Sequence, residues 1–320
     1  MTCREILYRV APGEGGRTVR DIMKHELGLV NHDISRAKYR KDGIRLNGER
    51  VYVTAVTADG DVLMIRLEDD TVSSTVPTPG PLAILYEDED LLAVNKPAGL
   101  VVHPSHGHYR DTLGNYAAAY YAHKGERHDI RTIGRLDKDT SGILIYGKTR
   151  TAVHHLNRQT ALGRHSKTYL ALAEGHFQEK CGRFDGPIGR VPGARLLREV
   201  RADGDEAHTF YEVLAEADSF SLVRVRITTG RTHQIRVHMA AAGHPLLGDP
   251  LYGGDQTFMN RAALHCHEAV FDTVFSGRKT ALRAALPPDM AACLPPSLAA
   301  SLGEPTREYV YEPEDLSASE

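Results

Sequence analysis

The sequence predicts an α+β protein in which a small domain precedes a larger one. A length of 320 residues suits about two domains, and 41% hydrophobic with 25% charged residues supplies the apolar content of folded cores. Short β-branched runs and apolar stripes at helical spacing both occur along the chain. Residues 71–81 are rich in Thr, Ser and Pro, which is typical of a linker. We therefore expect domains over residues 1–70 and 82–292, and an acidic, partly disordered tail over 293–320.

Charge and cysteine content exclude several classes of protein. The net charge of −3 argues against nonspecific coating of polyanions. The charge is uneven, because residues 17–50 hold nine Lys or Arg against five Asp or Glu, a net of +4. The longest apolar runs are far shorter than a membrane span, and no basic-then-apolar leader opens the chain, so we expect a cytoplasmic protein. The four cysteines lack metal-ligand spacing, which predicts reduced thiols and no metal site.

The first domain is predicted to combine short strands with two helices. A leading strand covers residues 5–10, and the apolar stripe of residues 17–27 predicts a helix. A second helix is expected to begin near Asp33, with Ile34, Ala37 and Tyr39 facing inward. Strand and turn segments follow over residues 43–67.

The most informative segment of the second domain is residues 134–149. It begins with Arg135, Asp137 and Asp139, and an apolar run over 143–146 follows. A polar loop before a short apolar run predicts a tight loop that leads into a buried strand. Because reactive side chains often lie in loops held by rigid strands, Asp137 or Asp139 is a candidate catalytic carboxylate.

Other interpretations compete for this segment. Residues 142–149 match the phosphate-loop pattern G-x-x-x-x-G-K-T, but the four middle residues are the predicted strand, whereas phosphate binding needs an open loop there. The pair Asp137 and Asp139 is also typical of phosphoaspartate-forming hydrolases, in which the carboxylates follow an apolar strand and do not precede it. Either aspartate could instead cap a turn. The segment alone leaves the capping and catalytic roles open.

The rest of the second domain alternates between strand and helix patterns. Thr232 is expected to cap a helix that Gly243 ends. Basic residues cluster within a predicted hairpin region over 184–208, which either contacts RNA or forms a solvated loop. Further strands are predicted at 84–86, 91–94, 167–174 and from Leu264, and further helices at 111–123 and 153–162.

Several segments resemble the RluA/RluD-type pseudouridine synthases. Arg135-Leu136-Asp137, followed by residues 139–142 (DTSG), is similar to the catalytic signature of that family. The other family-like segments lie in the same order and span most of the chain: 95–104 (NKPAGLVVHP), 167–169 (KTY), 230–236 (GRTHQIR) and 264–265 (LH). One position departs from the family pattern, which usually has His where this chain has Gly134.

The resemblance implies a pseudouridine synthase fold with a central mixed, mainly antiparallel sheet, and an isomerase that converts uridine in RNA to pseudouridine. The reaction breaks a nitrogen–carbon glycosidic bond and rejoins the base through carbon 5. Because this needs no redox, phosphate or metal chemistry, no cofactor is expected.

The resemblance also assigns site residues. Asp137 would be the catalytic carboxylate, which adds to the ribose or the base or takes a proton from the sugar. Tyr169 would stack on the flipped base and act in proton handling, and Arg236 would pair with Asp137. For substrate binding, Arg135 would enter the space that the base leaves, Leu264 would close an apolar wall, and Lys167 would share a strand face with Tyr169.

Residues 17–67 are similar to the alpha-L RNA-binding module of a small-subunit ribosomal protein, which precedes many RluD-like enzymes. Its basic helix is expected to contact phosphates, although such a helix is also compatible with an ordinary solvated face. The residues concerned are Arg36, Lys38, Arg40 and Lys41.

By analogy with that fused module, the substrate is expected to be large-subunit ribosomal RNA, with transfer RNA as the alternative. We expect a monomer that binds RNA and neither a membrane nor a small-molecule cofactor. A second functional class is a noncatalytic RNA-binding ribosome-assembly factor. The joint presence of Asp137, Tyr169 and Arg236 favours the enzyme, because a binding module needs none of them.

Overall fold

A small antiparallel sheet and a large mixed sheet organise the protein, as described by a computed structural model over residues 3–68 and 73–313. The larger sheet is mainly antiparallel, which confirms the predicted α+β class. No helix within these two ranges is long and apolar enough to cross a membrane.

The first unit is a four-stranded sheet with short helices packed against it. The strands are β1 (Cys3–Arg9), β2 (Ile44–Leu46), β3 (Glu49–Arg50) and β4 (Val62–Glu68), in the order β1-β4-β2-β3. Helix α1 (Val19–Asp21) continues as a π-helical turn over Ile22–Glu26, and α2 covers Asn31–Tyr39. A capping box begins α1, because the side chains of Thr18 and Asp21 each accept from the backbone N–H of the other.

The predicted helical stripes form the core of this unit, with one exception. Ile34 and Ala37 of α2 are buried, but Tyr39 is 77% exposed, so its predicted inward orientation was wrong. Tyr39 is the last residue of α2 and lies off the face that Ile34 and Ala37 share. The Lys38 ammonium instead lies 5.2 Å from the centre of the Tyr39 ring.

The second unit is built on an 11-stranded sheet whose main path is β10-β13-β14-β9-β15-β8-β6-β5-β17. Only β8 and β15 pair in parallel among the described strands. In addition, β7 pairs with β8 and β16 pairs with β15. A separate hairpin is formed by β11 and β12. The strands are β5 (Leu82–Glu87), β6 (Leu91–Lys96), β7 (Thr132–Ile133), β8 (Ser141–Gly147), β9 (Ser166–Glu174), β10 (Cys181–Asp185), β11 (Ile188–Arg190), β12 (Arg198–Val200), β13 (His208–Glu216), β14 (Phe220–Ile227), β15 (Leu264–Asp272), β16 (Lys279–Arg283) and β17 (Tyr309–Tyr311).

Helices cover the large sheet or close its ends. They are α3 (Leu113–His123), α4 (Arg150–Ala161), α5 (Gln234–Ala241), α6 (Pro288–Ala291) and α7 (Pro296–Ser301). Strand β17 pairs with β5, so the described part of the tail adds an edge strand to the sheet. The predicted disorder at the end of the tail falls on residues 314–320, outside the described residues.

The small unit packs directly against the large one. Arg4 donates from Nε and Nη2 to the buried Asp90 carboxylate at 3.1 and 3.2 Å. Thr151 of α4 donates to Asp33, and His155 of α4 contacts the Leu27 carbonyl through Nε2 at 2.8 Å. Of the predicted linker, residues 71–72 lie outside the described residues.

The described part of that linker lies along α3. The Asn115 side chain donates to the Val76 carbonyl at 2.7 Å, and the Thr78 N–H donates to the Asn115 carbonyl at 3.2 Å. This segment therefore belongs structurally to the large unit.

Strand β8 excludes a phosphate loop at residues 142–149. All of its residues are buried, and its apolar middle pairs with β6. The Lys148 ammonium is also buried, 2.6 Å from a Glu87 carboxylate oxygen and 3.4 Å from one of Glu126. The Lys148 charge is therefore paired with carboxylates inside the fold, which agrees with the predicted strand.

We predict that Lys148→Ala destabilises the fold without creating a catalytic defect. Removing the buried cation deprives the Glu87 and Glu126 carboxylates of their buried partner. This loss should lower the free energy of unfolding by about 3 kcal/mol. Urea denaturation measures this change. The control is Lys124→Ala, which removes a more exposed partner of Glu87 and should cost less than about 1 kcal/mol. Saturable ATP binding by the wild type that Lys148→Ala abolishes would restore the phosphate-loop interpretation.

Candidate active site

A pocket of about 160 Å³ lies between the loop before β8 and the start of α5. Five of the six residues predicted for catalysis and substrate binding line this pocket, and only Lys167 does not. The lining residues are Gly134, Arg135, Leu136, Asp137, Thr140, Tyr169, Ile227, Gly230, Arg231, Thr232, His233, Gln234, Ile235, Arg236 and Leu264.

Two basic side chains hold the loop that carries Asp137. The Nζ of the fully buried Lys96 lies 2.8 Å from each of the carbonyl oxygens of Pro97, Leu100 and Lys138. The Arg261 guanidinium donates to the Asp139 carbonyl at 3.2 Å. Backbone carbonyls on the C-terminal side of Asp137 are therefore fixed from the protein interior.

The Asp137 carboxylate is half-buried and faces the pocket. The Thr140 N–H donates to the Asp137 carbonyl at 3.2 Å and closes the turn. Across residues 3–68 and 73–313, no side chain forms a hydrogen bond or an ion pair with the Asp137 carboxylate. The carboxylate is thus held in place through the backbone and remains available to react.

Tyr169 supplies the aromatic wall of the pocket. It lies on β9, is 5% exposed, and is flanked by the buried Leu264 and the half-buried Ile227. Burial raises the pKa of Tyr169 well above its ordinary value, and the neighbouring Cys266 and the Asp137 charge act in the same direction. The phenol therefore stays protonated and uncharged at neutral pH, and it can donate a hydrogen bond.

Arg236 pairs with Asp249, and the predicted ion pair with Asp137 was wrong. Arg236 Nε and Nη2 donate to the two Asp249 oxygens at 2.6 and 2.7 Å. Asp249 is fully buried, and one of its oxygens also accepts from the N–H groups of Leu251 and Tyr252. The planar guanidinium satisfies the nearer and more deeply buried carboxylate in a bidentate pair, so the influence of Arg236 on Asp137 is electrostatic across the pocket.

Lys167 lies behind the pocket wall, contrary to the prediction that it binds substrate. Its ammonium donates to the Ile133 carbonyl at 3.2 Å, and burial lowers its pKa. Although Lys167 and Tyr169 share a face of β9, Lys167 lies beneath the Gly134 backbone. A Cβ atom built on Gly134 would lie 3.5 Å from the Lys167 ammonium.

The turn before α5 also differs from the prediction. His233, and not Thr232, occupies the position before the helix, and its side chain does not cap the first turn. Gln234 closes the turn instead, because its Oε1 accepts from the Arg231 N–H at 3.0 Å and from Thr229 Oγ1 at 2.9 Å. The predicted helix end is confirmed by Gly243, which adopts a positive φ of 85°.

The pocket combines a reactive carboxylate, a flat aromatic wall and a basic rim. Arg135 and Arg231 are exposed at the rim, and Arg135 Nη2 lies 3.4 Å from Thr232 Oγ1. This arrangement suits a planar uncharged base with a phosphate beside it. In the described ranges, no group of three or more His, Cys, Asp or Glu side chains is placed to hold a metal ion.

Three residues that support the active site structurally were not among the predicted site residues. Lys96 lies in the segment 95–104, but nothing in its spacing indicates that it binds carbonyls of a loop 42 residues away. Asp249 and Arg261 follow α5 in an irregular region, where the hydrophobic pattern gives no guide to contacts. The only sequence signal at Asp249 is an acidic residue beside a turn-forming proline.

The chain is similar to proteins of one family. A family model described as RNA pseudouridylate synthase matches residues 90–241. The uncharacterized RNA pseudouridine synthase YhcT of Bacillus subtilis is 39% identical over 249 residues, which cover 77% of this chain and 82% of that protein. Ribosomal large subunit pseudouridine synthase D of Zymomonas mobilis is 38% identical over 260 residues, covering 74% and 81%.

A solved structure, human RNA pseudouridylate synthase domain containing 1, matches with a TM-score of 0.54 at 28% identity. It covers 71% of this chain and 90% of that one. The fold predicted from the resemblance is thereby confirmed.

We predict a pH-dependent contribution of Lys96 to stability. Burial lowers the pKa of Lys96 to about 7, whereas an unfolded lysine keeps its proton to about pH 10.4. Between these values the unfolded state binds more protons. The free energy of unfolding of the wild type should therefore rise relative to Lys96→Met as the pH increases from 7, by up to about 1.4 kcal/mol per unit.

Urea denaturation at pH 6, 7, 8 and 9 would measure the difference between the two proteins. Lys279→Met serves as the matched control, because it makes the same substitution at a lysine that is exposed on β16. A constant difference between the wild type and Lys96→Met over the same range would show that Lys96 keeps its proton in the folded protein.

Proposed function

Since the chain belongs to the RNA pseudouridine synthase family and is an isomerase that acts on RNA, we propose that it isomerises uridines in large-subunit ribosomal RNA. We assign the catalysis to Asp137, Tyr169 and Arg236. The observation that carries the assignment is the unpaired Asp137 carboxylate in a pocket lined by Tyr169 and Arg236. A noncatalytic RNA-binding module would need neither the free carboxylate nor the buried Arg236–Asp249 pair beside it.

Asp137 provides the reactive carboxylate. Its loop is fixed through the backbone by Lys96 and Arg261, so the side chain is oriented although its oxygens have no partner among the described residues. A carboxylate in this state can add to the sugar or the base, or remove a sugar proton, without first breaking an ion pair. The Arg236 guanidinium places positive charge near Asp137.

The apolar side of the pocket seats the uracil. Uridine must leave its stack to reach Asp137, and a flipped base needs a flat surface to replace its former neighbours. The ring of Tyr169 provides that surface, and Leu264 with Ile227 continues it. The exposed Arg135 at the rim is placed to occupy the gap that the base leaves in the RNA.

Ribosomal RNA is favoured by the name of the Zymomonas mobilis relative, a large-subunit ribosomal pseudouridine synthase. Transfer RNA is the alternative substrate and becomes one outcome of the experiment below. We place the enzyme in the cytoplasm, where its RNA is found, and propose that it acts as a monomer.

The small N-terminal unit anchors the RNA in this proposal. Lys38 in the last turn of α2 and Lys41 just after it are exposed, whereas Arg36 and Arg40 are half-buried, and Arg40 forms an ion pair with Glu68. Lys38 and Lys41 are therefore the basic residues of this group best placed to reach phosphates. The contacts of this unit with α4 hold it against the catalytic unit.

We predict that Asp137→Asn lowers turnover by about a thousandfold or more, because the amide can neither add to the sugar nor accept its proton. The assay is pseudouridine mapping on unmodified transcripts of large-subunit ribosomal RNA and of transfer RNA. Asp139→Asn is the matched control, since its backbone carbonyl, which Arg261 holds, is unchanged. If Asp137→Asn retained full turnover, Asp139 would become the candidate. Modification of the transfer RNA alone would reassign the substrate.

We predict that Lys38→Glu with Lys41→Glu weakens RNA binding and flattens its salt dependence. For each phosphate that is no longer neutralised, the slope of log K against log salt should fall by about 0.7 to 0.9. Turnover on a saturating short RNA should be unchanged, because neither residue lines the pocket. Lys279→Glu on β16 is the control for charge alone. Equal slopes in the wild type and the double variant would mean that this helix does not contact RNA.

A further inference from the structure

Tyr252 connects the active-site pocket with the hairpin of β11 and β12. Its hydroxyl lies 3.1 Å from the Arg198 N–H of β12 and 2.9 Å from His233 Nδ1 at the pocket. The Arg236 guanidinium lies 5.0 Å from the centre of the Tyr252 ring. Asp249 accepts from the Tyr252 N–H at 3.3 Å. Tyr252 itself does not line the pocket, so it acts on the pocket through its neighbours.

These contacts favour one tautomer of His233. The Arg198 N–H can only donate, so the Tyr252 oxygen accepts from it and the Tyr252 O–H remains as the donor toward His233 Nδ1. Nδ1 therefore accepts, and the proton of the neutral ring lies on Nε2. Burial lowers the pKa of His233 against the opposing charges of Asp137 and Asp249, which agrees with a neutral ring.

His233 is held in an unusual backbone conformation. Its φ is 59°, and Asn47 is the only other residue apart from glycine with a positive φ in the ranges 3–68 and 73–313. The left-handed region is unfavourable for residues with a Cβ atom, and such strain concentrates at functional sites. Here the conformation directs His233 into the pocket, and Nε2 has no protein partner in the described structure.

The pocket rim around His233 offers hydrogen-bond donors and positive charge. Arg231, Thr232 and His233 are consecutive lining residues, and Arg135 approaches Thr232. Their N–H and O–H groups suit an anionic oxygen, whereas the apolar wall with Tyr169 lies deeper. An N–H on His233 Nε2 adds one oriented donor to this rim.

We propose that Tyr252 is a positioning residue that presents His233 Nε2–H as a fixed hydrogen-bond donor to the phosphate adjoining the target uridine. The proposal rests on the function proposed above. It assigns His233 to substrate binding and gives the hairpin backbone at Arg198 a structural role in the pocket. Because the phosphate is bound alike before and during the reaction, the contact contributes to KM and not to kcat.

The experiment compares Tyr252→Phe, His233→Asn and the double variant on one short synthetic RNA that contains a mapped target uridine. Asparagine tolerates the positive φ and removes the imidazole, and phenylalanine keeps the ring that packs on Arg236. Each single variant should raise KM about tenfold with kcat nearly unchanged. The double variant should be no worse than His233→Asn, because Tyr252 acts through His233. Tyr309→Phe, on the exposed edge strand β17, should match the wild type.

Two further readouts separate positioning from a general structural role. Long-range proton–nitrogen NMR spectra should show His233 protonated on Nε2 in the wild type and as a mixture of tautomers in Tyr252→Phe. A methylphosphonate in place of the adjoining phosphate should raise KM for the wild type by a larger factor than for His233→Asn, in which the arginines of the rim still meet the phosphate.

Additive effects on KM in the double variant, or an unchanged tautomer in Tyr252→Phe, would overturn the proposal. If the wild type made no pseudouridine, the proposed function would fail. The NMR spectra and the affinity for the methylphosphonate RNA would still decide whether Tyr252 positions His233.

Discussion

The buried ion pair between Arg236 and Asp249 is the interaction on which the active site depends. Taking both charges out of water is costly, and the cost is offset only when the hydrogen bonds of both groups are satisfied. Here Asp249 accepts two bonds from Arg236 and two from backbone N–H groups, which fixes α5 against the turn at residues 249–252. The same pair keeps Arg236 from binding Asp137 directly. The Asp137 carboxylate therefore stays free although a guanidinium lies beside the pocket.

The sequence correctly predicted most of the strands and helix ends that depend on the local residue pattern. The apolar run 143–146 correctly predicted a buried strand, and the glycine that ends α5 follows a known terminus preference. Five of six predicted pocket residues meet because the family motifs that contain them form adjacent strands and loops. The ion-pair partner of Arg236 was not predicted correctly, because it depends on which buried carboxylate the fold brings nearest. The periodicity of the sequence contains no information about such contacts.

Contacts between distant segments also explain how a loop with no regular structure holds a catalytic group. Lys96 connects the Leu100 carbonyl with the Lys138 carbonyl, and Arg261 holds the Asp139 carbonyl while its other nitrogens bind Asp289. The loop is therefore anchored by long side chains from β6 and from the segment before β15. Within the described residues, this arrangement leaves both carboxylate oxygens of Asp137 without a partner while its backbone carbonyl is bonded, so rigidity of the loop and availability of the carboxylate are compatible.

Gly134 shows how a departure from the family pattern can fit the same site. Its φ is 74°, a conformation that is unfavourable for residues with a Cβ atom. A Cβ atom at this position would also approach the Lys167 ammonium, whose pKa burial lowers. In this chain the backbone at position 134 accordingly has a steric role, since it covers Lys167 and lets the loop turn toward the pocket. A histidine here would be strained at this φ, whereas its Cβ atom would approach the Lys167 ammonium only to an ordinary contact distance of 3.5 Å, so it is the backbone conformation that favours glycine.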